Sequence, residues 1–365
     1  MRIGVPTETK DQEFRVGLSP SSVRALTDRG HQVIVQSGAG LGSGFADDEY
    51  QAAGATIGTD SSAWAQELIV KVKEPLPLEY GFLRSEQILF TYLHLAANLE
   101  LTKVLLRSKI CAIAYETVET ANHRLPLLTP MSVIAGRLAV QIGARFLERQ
   151  QGGRGVLLGG VPGVASGHVV ILGGGVVGTE AAKMAIGLGA RVTIVDVNVD
   201  RLTELEALFG SRVSLLYSTT AQIEAVVPQA DLLIGAVLVP GKKAPILVKK
   251  LVVGSMRSGS VVIDVAVDQG GCIETIRTTS HTAPTYIESG VVHYGVPNMP
   301  GAVPWTATQA LNNSTLPYVL KLADGGLGAI ETGSKLAAEL LMGVNVRDGA
   351  LIHPAVRSMF PQLDS

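Results

Sequence analysis

The chain has 365 residues, 41 of them glycine, with 47% hydrophobic and 5% aromatic residues and a formal net charge of −2. That length exceeds what one hydrophobic core usually fills, so two domains are expected, and the Val, Ile, Leu, Ala and Gly excess suits buried parallel strands and close-packed helices. Dispersed Lys and Arg form no basic stripe for nucleic acid, and charges such as Arg137, Lys183 and Arg191 interrupt the apolar stretches before they reach membrane-spanning length. Cys111 and Cys272 lie far apart and lack a Cys/His cluster, so reduced thiols and no metal are expected.

In chain order, Arg2–Pro6 reads as a strand without the basic and apolar segments of a signal peptide, which suggests the cytoplasm. Strand-like runs at Gln32–Gln36, Leu68–Val72, Ile88–Phe90 and Ile110–Tyr115 alternate with helical patterns, so the first part is itself doubly wound. Its first helix is punctuated by Ser19 as cap, Pro20 in the first turn and Gly30 as stop. Val133, Ile134, Leu138, Ile142 and Phe146 give Met131 to Gln150 the pattern of a linking helix, and glycine-rich Gln151–Gly167 follows. Strands at His168–Leu172, Arg191–Val195, Val213–Leu216, Asp231–Val237 and Ser260–Val265 build a second sheet that Val291–Gly295 extends. A helix over Pro304 to Ala323 carries the chain back. The expected fold is α/β: two doubly wound Rossmann-like domains with an active-site cleft between them. Residues 1–130 plus 300–365 would form a discontinuous substrate domain, and 131–299 a dinucleotide domain.

The segment HVVILGGGVVGTEAAKMAIGLGARVTIVD, His168 to Asp196, is a strand, a glycine turn, a small-residue helix, a second strand and an acid. Gly173 can take the positive φ of the turn, Gly175 leaves room for a pyrophosphate, and Gly178 lets the helix pack closely on the sheet. The helix N-terminus then faces the phosphates, and Asp196 stands where such folds place a carboxylate on the adenosine ribose. A glycine turn alone would be weak evidence, because glycine turns also serve ordinary packing. Here strand, helix and acid are all present.

Ligands bind outside the carboxyl ends of parallel strands, so the first domain should supply substrate groups there. Arg15 lies just before the first helix, Lys73 ends LIVKVKEPLP, and His94 ends ILFTYLHLAAN. Each also has an ordinary reading: a surface arginine, a solvated lysine, a buried hydrogen-bonded histidine. Together they match a small α-keto or α-amino acid, which needs a cation fork for its carboxylate, a donor for its carbonyl oxygen and a proton carrier near neutral pH.

The motifs MRIGVPTETKDQEFRVGLSP, LIVKVKEPL, LFTYLHLAA, AYETV, LPLLTPMSVIAGRLA, QGGRGVLLGGVPGV, ADLLIGAVLVPGKKAP, VVIDVAVDQGGCIET and VPNMPGAVPWTAT resemble the alanine dehydrogenase family, from Met1 to about His353. The resemblance implies NAD-dependent interconversion of L-alanine with pyruvate and ammonia. It implies Arg15 and Lys73 as ligands of the substrate carboxylate and carbonyl, with His94 and Asp268 as catalytic acid/base and carboxylate. It further implies cofactor contacts at Ser132, Val176, Val177, Asp196, Arg201, Ser218, Val237, Leu238, Val265, Ala266, Val267 and Asp268, and at Val296, Pro297, Asn298 and Met299. Members are typically homohexamers.

Asp264 competes with Asp268, since a spacing of four puts both on one face of a regular strand, with Asp268 nearer the crevice. Three other readings remain. The nucleotide-binding subunit of a proton-translocating transhydrogenase has no amino acid to bind and so no use for Lys73 and His94. A methyltransferase using S-adenosylmethionine has no use for a second domain carrying Arg, Lys and His. A related amino-acid dehydrogenase would differ mainly in substrate.

Overall fold

A computed structural model describes residues 1–237 and 244–363, and the chain divides into two compact units, Met1–Met131 with Val303–Ser365, and Ser132–Ala302. The first unit opens with six parallel strands, β1 Arg2–Val5, β2 Gln32–Gln36, β3 Thr56–Gly58, β4 Leu68–Val70, β5 Ile88–Thr91 and β6 Cys111–Ala114. They lie in the order β3-β2-β1-β4-β5-β6. The second unit repeats this with β7 His168–Leu172, β8 Arg191–Asp196, β9 Ser214–Tyr217, β10 Leu232–Gly235, β11 Val261–Asp264, β12 Thr285–Glu288 and β13 Val291–Tyr294. Its order is β9-β8-β7-β10-β11-β13-β12, with only β12 antiparallel. The chain then returns to the first sheet, where β14 Val344–Arg347 pairs antiparallel with β6 and β15 Ala350–Leu351 with β14. Both sheets therefore reverse strand order beside their first strand, between β1 and β4 and between β7 and β10, and ligands of such sheets gather there.

Burial follows position. The central strands β4, β5, β6, β7, β10, β11 and β13 are buried at every residue, as continuous apolar strands covered on both faces should be. Edge strands β3, β9 and β12 are only half-buried or exposed. The Ser19 hydroxyl accepts the N–H of Ser22 to cap the helix Pro20–Thr27, and Gly30 follows at φ 80°. The linking helix runs Thr129–Phe146 and stops before the expected Gln150, which falls in a separate 3-10 turn, Arg149–Gln151. Gly136 and Gly143 let this helix pack closely within the second unit, since a Cβ there would stand 2.3 Å from the Val177 carbonyl oxygen and 2.5 Å from a Leu232 methyl. No helix of the described residues is long and apolar enough to cross a membrane.

Several strands end earlier than the sequence suggests. The runs expected to Pro6, Val72, Tyr115, Val237 and Val265 stop at Val5, Val70, Ala114, Gly235 and Asp264, because the residues beyond turn into the loops at the carboxyl edge. Strands β3, β12, β14 and β15 were not expected. They are short, and β3 and β12 lack an unbroken apolar run.

Candidate active site

In the first unit the candidate residues leave adjacent strand ends. Residues 6–15 follow β1, Lys71 to Glu74 follow β4, and Tyr92 to His94 follow β5. Arg15 is no surface charge: it is 2% exposed, and Glu13 takes its Nε at 2.6 Å, its Nη2 at 2.5 Å and its main-chain N–H at 3.1 Å. Burial opposes the charge on Arg15, but Glu13 outweighs it and holds the guanidinium firmly protonated. The fork also reaches Met131 Sδ at 3.0 Å.

Lys73 is buried as well, which corrects the reading of a solvated lysine. Burial pushes its pKa down, and the neighbouring charges of Arg15 and Lys10 push it further. Among the described residues its ammonium makes no ion pair. Its main chain is held firmly, with the N–H on Glu8 Oε2 at 3.2 Å and the carbonyl on the Thr91 hydroxyl at 3.0 Å. Glu8 also accepts the Val72 N–H at 2.6 Å and stands 3.4 Å from the buried Lys71 ammonium, which Glu79 binds at 2.8 Å. Burial raises the pKa of Glu8, more than Lys71 and the Val72 N–H lower it.

His94 is exposed rather than packed in the core, and its ring stacks on Tyr92 with centroids 6.0 Å apart and planes 5° apart. Its backbone is left-handed, φ 49° and ψ 37°, and its N–H donates to Glu116 at 2.6 Å. Glu8, Glu13 and Glu116 thus each hold the main-chain N–H of one candidate, Lys73, Arg15 and His94. Sequence reading passed over all three carboxylates. Glu8 and Glu13 were visible as acids in PTETKDQEFR and Glu116 in AYETV, but two of the three amides lie far away in the chain.

In the second unit the glycine turn has the form the sequence suggests. Gly173 sits at φ 96°, and a Cβ on Gly178 would stand 1.9 Å from the Gly173 carbonyl oxygen and 3.2 Å from an Ile171 methyl. Gly175 faces open space, and the helix Val176–Gly187 begins there without a side-chain cap. These free N–H groups beside an open glycine suit a pyrophosphate. Asp196 ends β8 and braces the turn, accepting the Gly174 N–H at 2.6 Å and the Asn198 N–H at 2.8 Å. Arg201 is engaged in the same turn, with Nε on the Gly174 carbonyl at 2.8 Å, Nη2 on Thr179 at 2.7 Å and an ion pair to Glu204.

The other cofactor candidates line the carboxyl edge of this sheet or the elements beside it. Val176 is exposed, while Ser132, Val177, Ser218, Val237 and Val265 are half-buried. Leu238 lies outside the described residues. Ala266, Val267, Val296 and Met299 are buried, and Pro297 and Asn298 are half-buried. Asp268 corrects an expectation: β11 ends at Asp264, and Asp268 is exposed on a 3-10 turn, Val267–Gln269. The two acids therefore do not share one face of a continuous strand.

Two family models match the chain, the alanine dehydrogenase/PNT N-terminal domain over residues 4–135 and the C-terminal domain over 139–354. The alanine dehydrogenase of Staphylococcus epidermidis is 53% identical over 362 residues, 99% of this chain and 97% of that protein. That of Bacillus subtilis is 54% identical over 359 residues, 98% and 94%. A solved L-alanine dehydrogenase superposes with a TM-score of 0.97 at 67% identity over the whole of both chains. A transhydrogenase from Sinorhizobium meliloti superposes at 0.82 with 26% identity, covering 97% of this chain and 100% of that one. The chain belongs to the alanine dehydrogenase/PNT family.

Proposed function

We propose that this chain is an alanine dehydrogenase, interconverting L-alanine and NAD with pyruvate, ammonia and NADH. The observation that carries it is the pair of buried cations, Arg15 and Lys73, near enough for the charge of Arg15 to lower the pKa of Lys73, with exposed His94 on the segment that follows the neighbouring strand β5. A dinucleotide carrier that takes up no small acid has no use for Lys73, a buried cation with no ion pair among the described residues. The full-length likeness to L-alanine dehydrogenases points the same way.

Arg15 would grip the substrate carboxylate, its fork already aligned by Glu13. Lys73 would donate to the carbonyl oxygen of pyruvate and stabilise the charge that develops there. His94, open to solvent, would pass protons between water and the carbinolamine as the imine forms or is hydrated. Asp268 would hold the ammonium or amine nitrogen. Gly173, Gly175, Gly178 and the free N–H groups of the helix at Val176 would hold the pyrophosphate of NAD, and Asp196 its ribose, with Ser132, Arg201, Ser218, Val237, the 265–268 segment and 296–299 around it. When bound, NAD supplies the hydride acceptor. The family likeness further implies a homohexamer in the cytoplasm.

The test is a panel of amino and keto acids with NAD and NADP, read by absorbance of the reduced nicotinamide. L-alanine with NAD should be the preferred pair, because a carboxylate at Asp196 would repel a 2′-phosphate. Reduction with no dependence on alanine, or none by the purified chain, would overturn the reading.

A further inference from the structure

The loop that carries Asp268 is closed at its base by a buried carboxylate. Asp264 is 1% exposed; its Oδ1 accepts the Ala266 N–H at 3.1 Å, and its Oδ2 accepts the Cys272 N–H at 2.7 Å. One side chain therefore bonds both ends of the segment 265–272. Inside it the Ala266 carbonyl takes the N–H groups of Gln269 at 2.9 Å and Gly271 at 3.0 Å, a second closure around Asp268. Two glycines pack closely on the carboxylate: a Cβ on Gly235 would stand 2.8 Å from Asp264 Cγ, and one on Gly271, at φ 66°, 2.7 Å from Oδ2.

A buried carboxylate is costly to keep, and an apolar residue would fill the end of β11 at lower cost. Its bonds here go to main-chain groups of one loop, and the one acid on that loop is the exposed Asp268. We infer that Asp264 is a positioning residue for Asp268, fixing the loop so that the Asp268 carboxylate meets the substrate nitrogen in one place. The inference rests on the alanine dehydrogenase reading for what Asp268 does, and on the geometry of β11 and its loop for how it is held. It assigns Asp264 a different part from a competing catalytic acid.

Asp264→Asn keeps the shape but turns an amide NH2 toward one of the two N–H groups, so one end of the loop loses its acceptor. In the full chain, hydrogen exchange of amides 265–272 should speed up roughly tenfold or more while those of β7 stay unchanged. Turnover should fall roughly ten- to a hundredfold, as displacement of a reacting group does. The decisive readout is the double variant: if Asp264 acts through Asp268, adding Asp264→Asn to Asp268→Asn should cost little beyond Asp268→Asn alone. Losses that multiply, or loop exchange like wild type, would overturn the inference. Should Asp264→Asn fail to fold, Gly271→Ala presses a methyl on Oδ2 from the other side, and unchanged loop exchange and turnover in that variant would overturn it equally. A wild-type chain unable to couple alanine to NAD would remove the role given to Asp268, whatever the exchange rates show.

Discussion

The main-chain N–H of His94 donates to Glu116 Oε1 at 2.6 Å, and that of Leu93 meets both oxygens of the same carboxylate at 3.2 Å. Glu116 follows β6 and His94 follows β5, two strands in parallel register up to Thr91 and Ala114. The carboxylate therefore holds a non-glycine residue in left-handed backbone, a conformation that costs energy unless its surroundings fix it. Glu116→Ala should lower stability by about 1–3 kcal/mol, as loss of hydrogen bonds to a charged group does, and cut turnover with it. His94→Ala should lower turnover by roughly a hundredfold or more. NADH binding, followed by fluorescence titration, should hardly change in either. A His94→Ala enzyme with near wild-type turnover would remove His94 from the chemistry.

Arg15 and Glu13 form a buried pair with side chains 1% and 0% exposed. Breaking such a pair leaves an uncompensated charge, so Glu13→Gln should cost about 3–5 kcal/mol in urea unfolding. Arg15→Lys conserves charge but loses the planar fork, and should raise the Michaelis constants for pyruvate and alanine more than it lowers turnover. Wild-type kinetics in Arg15→Lys would dismiss Arg15 as the carboxylate ligand.

Lys73 carries a pH signature. Burial, then Arg15 and Lys10, lower its pKa in the folded chain below the ordinary lysine value. Below the folded pKa both folded and unfolded chains hold the proton, and the cost of burying the charge is fully present. Between the folded pKa and the unfolded value the unfolded chain binds more proton, so this residue's contribution to stability rises with pH. Lys73→Met should therefore be more stable than wild type at neutral pH, and the gap should narrow as pH rises through that window. Urea melts of both proteins at neutral and alkaline pH measure it, and a constant gap would contradict the lowered pKa. Turnover of Lys73→Met should collapse, since the charge acts where the reaction develops its own.

Gly175 and Gly178 separate ligand space from packing space. A methyl at 175 meets open space, whereas one at 178 would lie 1.9 Å from the Gly173 oxygen. Gly175→Ala should fold with unchanged stability and bind NADH roughly tenfold or more weakly, as a close backbone approach to phosphate is lost. Gly178→Ala should destabilise the second unit by about 1–3 kcal/mol, as overpacking does. Thermal melts beside NADH titrations check both, and unimpaired NADH binding by Gly175→Ala would place the pyrophosphate elsewhere.

The sequence by itself determined what short stretches of chain can encode. Ser19 capping its helix, the positive φ of Gly173, the tight place of Gly178 and Asp196 at the end of β8 all depend on neighbours within one strand-turn-helix unit, so their residue types announce them. The central strands were legible for the same reason, as unbroken apolar runs. Tertiary structure decided the rest. Asp268 stands on a turn because β11 ends where the Asp264 carboxylate draws the chain round to Cys272, eight residues on. Strands β14 and β15 take their place from β6, more than two hundred residues earlier, and their own sequence does not contain that partner. Arg15 and Lys73 read equally well as surface charges, because burial is a property of the strand order. Reversal beside β1 sets the carboxyl ends of β1, β4 and β5 together, and only there can Glu8 meet both the amide of Lys73, 65 residues away, and the buried ammonium of Lys71.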